Sequence, residues 1–510
     1  MSLSTLAAGV MANLFLAGGA PATVTPDHMS AFPLNAVVRS VEDELYALLD
    51  QVDQAIEAED TEQAIQVLEK IVALPGFETW DSEVRYKILF KLAGQYASEN
   101  RFSEAYQIFL KAEALPQAQS DPFFWIQFSL AAMSEDEAKA IEALMTHLSI
   151  YSGESLLNDD FIGLYAPLAL GLPDGMQRQK QLMEAIRASG YVSDNVSADP
   201  NAIWFDLFKV YVHEGDEARA WALMPFADSQ SVLRMRIEHA YAPYLKALPK
   251  EGDYSYALEQ DLLLKRKAYA EAPDDPDALI DLSYELIRIG RLEEAETLLT
   301  GAIERREAVQ TEQADDYIPW FYGLRALTHN LSGDLVAAEN DYRHAMQVNS
   351  DANNPFYVIG LASFYSEHGR NDEAAELIAT LETADMEIID QVWVASIVAC
   401  MPLKQGRDEA FEAARATLAA HAWEDIFISA YGLLCAGDEA VLAGLIIEGL
   451  DNPLTREKAL LYVQTYKPFP HASHKVVKIF ERQKGVLARP DVRAAIERYG
   501  VIETLPVYWY

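Results

Sequence analysis

Residues 276–302 read PDALIDLSYELIRIGRLEEAETLLTGA, and this stretch decides the fold. Leu279, Leu282, Ser283, Leu286 and Ile287 recur at intervals of three or four, so one apolar face runs along a first helix. Gly290 ends that helix, because glycine enters the left-handed conformation of a helix terminus without steric penalty. Leu292, Ala295, Leu298, Leu299 and Ala302 then repeat the same periodicity. Ala295 is small where two helix axes must approach closely, and the stretch therefore predicts an antiparallel hairpin. A single hairpin leaves an apolar face in water. The next one has to cover it, which is why such units come in stacks.

The signature recurs. A glycine, an alanine five residues on and an apolar residue four further stand at Gly215/Ala220/Met224, Gly290/Ala295/Leu299, Gly333/Ala338/Tyr342 and Gly369/Ala374/Ile378. Ala64 and Ala105 are 41 residues apart, and Leu74-Pro75 returns as Leu115-Pro116 at the same interval. Ala295, Ala338, Ala374 and Ala410 follow one another at 43, 36 and 36. An aromatic residue precedes the alanine by nine positions at Tyr96, Tyr211 and Tyr365, and a second small residue follows it by seven at Ala112, Ala227, Ala302 and Ala345. Asn100 takes the glycine's place in one copy, and asparagine tolerates the left-handed conformation better than other side chains.

On these residues the chain resembles the tetratricopeptide repeat (TPR) family, helix hairpins of about 34 residues with this small, aromatic and glycine arrangement. The resemblance implies an all-α, right-handed α-solenoid of stacked antiparallel hairpins. Repeats are read over 41–120 and 201–450, with degenerate helical repeats over 121–200, where the Gly/Ala spacing is lost and Pro167 and Pro173 interrupt the pattern. Gly252/Ala257 keeps the spacing with Asp261 in an apolar position, and Gly406/Ala410 is one residue short. One continuous solenoid, or a break into two near 121–200, accounts for these departures.

The chain carries 40 basic and 79 acidic residues, a formal net charge of −39. That argues against nonspecific nucleic-acid binding, which needs basic surface to displace counterions. Residues 452–510 reverse the sign, with ten Lys/Arg against five Asp/Glu. Residues 451–510 read as a basic helical cap and C-terminal tail, or as a docking surface for a protein or a lipid headgroup.

Residues 1–22 contain the run LAAGVMANLFLAGGA and then Ala20-Pro21-Ala22, the small-x-small form of a signal-peptidase site, although Lys and Arg are absent before Arg39. The run is too short to span a bilayer as a mature helix. Residues 23–40 read as an unstructured lead. A periplasmic or secreted location is expected, the alternative being cytoplasmic. Cys400 and Cys435 lie one repeat apart and read as separate buried side chains, with a disulfide as the alternative in an exported protein.

The common phosphate, hydrolase and metal motifs are absent, so neither a cofactor nor a metal site is expected and the chain reads as non-catalytic. His471 and His474 in PHASH read as an exposed turn and not as a metal pair. An enzyme site, were there one, would fall in 121–197. The useful surface of a solenoid is its concave groove, where the family resemblance implies that peptide ligands lie. Helical phase places Phe205, Lys209 and His213, Ile280, Tyr284 and Arg288, Trp320, Leu327 and Asn330, and Phe356, Ile359 and Ser363 along it. Phe205, Tyr284, Trp320 and Phe356 would suit an extended or helical apolar segment of a protein partner. The Lys, Asn and Arg set with which some relatives hold a C-terminal carboxylate is missing. The ending ARPDVRAAIERYGVIETLPVYWY resembles the last helix and tail of bacterial repeat proteins that accompany winged-helix regulators or cyclase-type signalling domains, with Pro490, Gly500 and Tyr508-Trp509 in place and Val492 where an aromatic is usual. A protein-binding scaffold, or a cytoplasmic adaptor in signalling, is the expected role.

Overall fold

A computed structural model of the chain describes residues 36–508 except 59, 119–120, 135, 151–158, 192–200, 225–227, 309–316, 350–354, 382–385 and 402–407. The fold is all-α, built from antiparallel helix hairpins, and it divides into two compact units, Met1–Asp194 and Asn195–Tyr510. The signal-peptide reading of 1–22 lies outside the described residues. Residues 36–40, read as unstructured, belong instead to the helix Ala36–Glu57.

The first unit pairs Ala36–Glu57 with Thr61–Val72, Ser82–Ser98 with Phe102–Glu113, Asp121–Met133 with Glu137–Ile150, and Asp159–Gly171 with Gly175–Ala188. Aspartates start several of these helices by accepting from their free amides, as Asp60 does from Gln63 N (3.0 Å) and Asp81 from Glu83 N (2.9 Å). Position 167 lies inside a helix, so Pro167 does not interrupt it.

The second unit pairs Pro276–Ile289 with Leu292–Ala308, Ile318–Ser332 with Leu335–Val348, Phe356–Glu367 with Asn371–Ile378, Ile388–Ala399 with Asp408–Ala420, and Ile426–Ala436 with Glu439–Asp451. Ala64, Ala105, Ala220, Ala295, Ala338 and Ala374 are all 0% exposed, the burial expected where two helices touch through a methyl group. Four hairpins turn through the same backbone bond, from the residue after the left-handed position to the carbonyl five residues back: Arg101 N to Tyr96 O (2.9 Å), Arg291 N to Leu286 O (2.7 Å), Asp334 N to His329 O (3.0 Å) and Arg370 N to Tyr365 O (2.8 Å). Asn100 adopts a φ of 58° in the glycine's place.

Four details depart from the sequence reading. Ala410 is exposed, and the alanine buried in its helix is Ala414, one turn later. Asp261 is satisfied in its apolar position because it accepts from Ser229 N (2.9 Å). The segment before Gly252 holds the helix Ser229–Ile237 and two 3-10 turns in place of one straight first helix. Cys400 and Cys435 are joined as a disulfide between neighbouring hairpins, with Cα atoms 4.8 Å apart, and not buried as separate thiols.

Residues 456–508 form three helices, Arg456–Tyr462, His474–Leu487 and Pro490–Tyr499, and a short parallel strand pair, Thr465–Lys467 with Thr504–Tyr508. Among the described residues no helix is long and apolar enough to cross a membrane.

Candidate binding cavity

The first helices of consecutive hairpins, Ile318–Ser332, Phe356–Glu367, Ile388–Ala399 and Ile426–Ala436, lie side by side. The segment from Phe469 to Phe480 runs across them, and between them they enclose a cavity of about 390 Å³. That is within the range of small-ligand sites, roughly 300–1,000 Å³.

Cations of this segment and of the chain on either side of it hold residues 456–482 in place. Lys475 Nζ donates to the carbonyls of Ser366 (2.9 Å) and Cys400 (3.0 Å) and to Ser366 Oγ (3.0 Å). Arg482 donates to the Leu434 carbonyl, and Arg456 to the Leu450 carbonyl (2.8 Å). Each of these carbonyls sits at the C-terminal end of a helix, where the helix dipole is negative, and those of Ser366 and Leu434 also accept from the cap amides Gly369 N (3.2 Å) and Gly437 N (3.3 Å). Lys467 lies over the Tyr508 ring, 4.6 Å from its centroid. The basic excess of 452–510 is thus engaged within the unit at each of these residues.

Tyr284, Trp320, Asn330 and Phe356 meet at the cavity wall, with Leu327, Ile359 and Ser363. Trp320 and Phe356 stack with centroids 5.1 Å apart and planes within 8°, and Phe356 keeps 44% of its surface exposed. Five other expected groove residues do not join them: His213 is exposed, Ile280 packs against the core of the neighbouring hairpins, and the remaining three are engaged elsewhere. Phe205 is buried against Phe208 and Tyr241 (5.4 and 5.8 Å between centroids). Lys209 is paired with Asp206 (2.5 Å) and Glu457 (2.9 Å). Arg288 is bound by Glu285 (2.8 Å) and donates to the Tyr254 hydroxyl (3.0 Å). Their helical phase points inward, but the chain itself already covers them.

Sequence reading missed Trp393, Tyr431, Tyr342 and Glu367 in the wall, and the contribution of Phe469, His471 and Phe480. One signal existed for Tyr431. It stands six residues before Gly437, as Tyr284 does before Gly290, but Leu442 in place of the alanine hid that copy. His471 packs against Gly333, whose φ is +88° and where a Cβ would lie 2.8 Å from the imidazole.

Burial dominates the titration of the wall. It pushes Glu367 up to about 7, opposed by a hydrogen bond from Asn330 and by the Lys475 charge. It raises Asp390 and lowers His368. Lys475 is brought down to about 8 by desolvation, with Glu367 pulling the other way. Among the described residues no cluster of three or more His, Cys, Asp or Glu is suited to a metal. In residues 121–197 the described groups with shifted titration are Lys139, held charged by Glu113, and Tyr165, raised to about 12 by burial.

These features define an all-α repeat protein of stacked antiparallel helix hairpins. No protein-family model and no curated relative matches the sequence. Among solved structures, the chain is similar to a tetratricopeptide repeat protein from Parabacteroides merdae, at 12% identity over 64% of this chain and 99% of that one (TM-score 0.33). It is similar to yeast Tom70 at 14% identity over 89% and 99% (TM-score 0.31), and to the quorum sensor NprR of B. thuringiensis at 13% over 88% and 99% (TM-score 0.31). The hairpins described above, and not these distant likenesses, define the class.

Proposed function

We propose that the chain is a non-catalytic scaffold that holds a protein partner through the aromatic cavity of its second unit, in an exported compartment. The observation that carries the reading is the convergence of Trp320, Trp393 and Tyr431, from three different first helices, on one cavity. Desolvated aromatic pockets of this kind supply most of the binding energy at protein interfaces. Phe356 offers an open ring beside the pocket, reachable by a partner's side chain. The Cys400–Cys435 bond and the apolar run before Ala20-Pro21-Ala22 support export, since disulfides persist mainly in oxidising compartments.

The test is site-specific photo-cross-linking in the native cell, with the cross-linker at Phe356 or at Val336, which is 73% exposed on a second helix. One partner band at 356, absent at 336 and lost in a Trp393→Ala background that keeps its helicity, is expected. Equal yields at both positions, or none at 356, remove the reading. Mass spectrometry of the same protein locates it: a start after Ala22 with an oxidised cysteine pair supports export, whereas an intact start with free thiols moves it to the cytoplasmic adaptor.

A further inference from the structure

We infer that the cavity receives an organic cation, an ammonium group bearing alkyl substituents: aromatic rings and two carboxyl groups form its wall, and among the described residues no lysine or arginine lines it. The inference rests on the reading of this cavity as the ligand site, and it names the chemistry of the occupant.

Trp320, Trp393, Tyr342, Tyr431 and Phe356 supply ring surfaces. The face of an aromatic ring carries the negative part of its quadrupole, and alkylammonium groups bind among such faces. Glu367 and Asp390 add carboxyl groups that an entering cation can draw into their ionised form. Lys475, the cation nearest Glu367, has three protons, and all three are accounted for by the Ser366 and Cys400 carbonyls and the Ser366 hydroxyl. Among the described residues Glu367 accepts from Asn330 and forms no direct ion pair, with Lys475 acting on it only through its charge at longer range. An anionic occupant would meet two carboxyls and, among the described residues, no lysine or arginine in the wall, and burial keeps the His368 imidazole toward its neutral form. A neutral apolar one would desolvate Glu367 further and return nothing to it.

The groups around Glu367 are Asn330, Lys475, Tyr342 and Tyr431, each from a different helix, and the wall also holds Asp390, His368 and His471. A cation beside Glu367 favours its ionised form and displaces a proton, so affinity should climb as pH rises from about 6 to about 8.

The experiment is calorimetric titration of the full chain with two matched pairs of probes. One pair is choline and its neutral isostere 3,3-dimethylbutan-1-ol. The other is a blocked hexapeptide with a central lysine and the same peptide with norleucine there. The cation should bind about tenfold tighter than its neutral match, or more. Glu367→Gln should abolish that advantage, while Glu376→Gln on the exposed face of a second helix should keep it. An advantage in the peptide pair assigns the cation to a partner's lysine, and one in the choline pair alone assigns it to a free small molecule. Equal binding within both pairs overturns the inference and leaves the cavity as a binding site. No binding by any probe also overturns it, and the partner reading then stands or falls on the Phe356 cross-link. Should Glu367→Gln fail to fold, Trp393→Leu serves in its place, with loss of the cation's advantage as the expected result.

Discussion

The hairpin Asp121–Ile150 and the segment Asn201–Trp221 invert each other. The first lacks the glycine, with Glu135 at that position of the sequence, yet Asp136 N still bonds Ala131 O (2.9 Å) and Ala140 is 0% exposed, as in the regular copies. The second has Gly215, Ala220 and Met224 all in place, with Gly215 at φ 72° and Ala220 buried, yet its second helix stops at Trp221. Pro225 follows closely, and proline both lacks an amide donor and disfavours helix at the residue before it. Both share the buried alanine and the turn bond, which in the second runs from Asp216 N to Tyr211 O (2.9 Å), so the glycine is not what makes the turn, and an early proline in its second helix is what the first hairpin lacks.

The largest expected effect concerns the copy with the most degraded signature, Ile388–Ala420, which is the one clamped to its neighbour covalently. Replacing Cys400 and Cys435 together by serine should destabilise the second unit by about 2–4 kcal/mol, since 35 residues separate them. Urea denaturation with and without reductant reads this, and an unshifted midpoint would show that erosion there needs no compensation. Next, Arg325→Met should cost about 3 kcal/mol, because it leaves Asp341 buried without its two-pronged partner (2.7 and 2.8 Å). Lys139→Met removes a more exposed pair with Glu113 and should cost under about 1 kcal/mol. Comparable losses would erase the contrast between buried and surface seams.

Ala140→Leu and Ala338→Leu should each cost about 1–3 kcal/mol by overpacking, in equal measure despite the missing glycine. A tolerated leucine at 140 alone would break the equivalence of the two copies. Glu367→Gln should change stability with pH in a defined direction. The folded carboxyl sits at about 7, above its ordinary value, so the native state loses stability as pH rises from the unfolded value through about 7. The variant lacks that loss and should be more stable than the parent above about pH 7, by on the order of 2 kcal/mol, with the difference vanishing in acid. Thermal melts at both pH values decide it. The smallest effect is at the turns: Asn100→Gly should stay within about 0.5 kcal/mol, because Asn already accepts φ 58°.

Much of the second unit was legible because its periodicity is strict: Ala295, Ala338 and Ala374 mark three hairpins by spacing alone. The hairpin around Ala140 was hidden because the glycine was treated as the marker when the alanine was the cause. The cavity was half legible. Helical phase found Tyr284, Trp320, Asn330 and Phe356, all on first helices of regular copies. It could not find Phe469, His471 or Phe480, which arrive from more than a hundred residues beyond Phe356 in the chain and obey no repeat. Nor could it tell that Lys209 would meet Glu457 across 248 positions.

That long reach bears on how this protein can change over generations. Repeat proteins ordinarily gain or lose copies with little harm, because each copy touches only its neighbours. Here Glu457 meets Lys209 and Arg234, Lys475 meets Ser366 and Cys400, and Arg482 meets Leu434, each from a fixed distance along one segment. Duplicating or deleting a hairpin between residues 276 and 451 would shift the helix ends out of step with those side chains. The second unit has therefore lost the freedom to vary in length, and its number of hairpins is inherited as a single character.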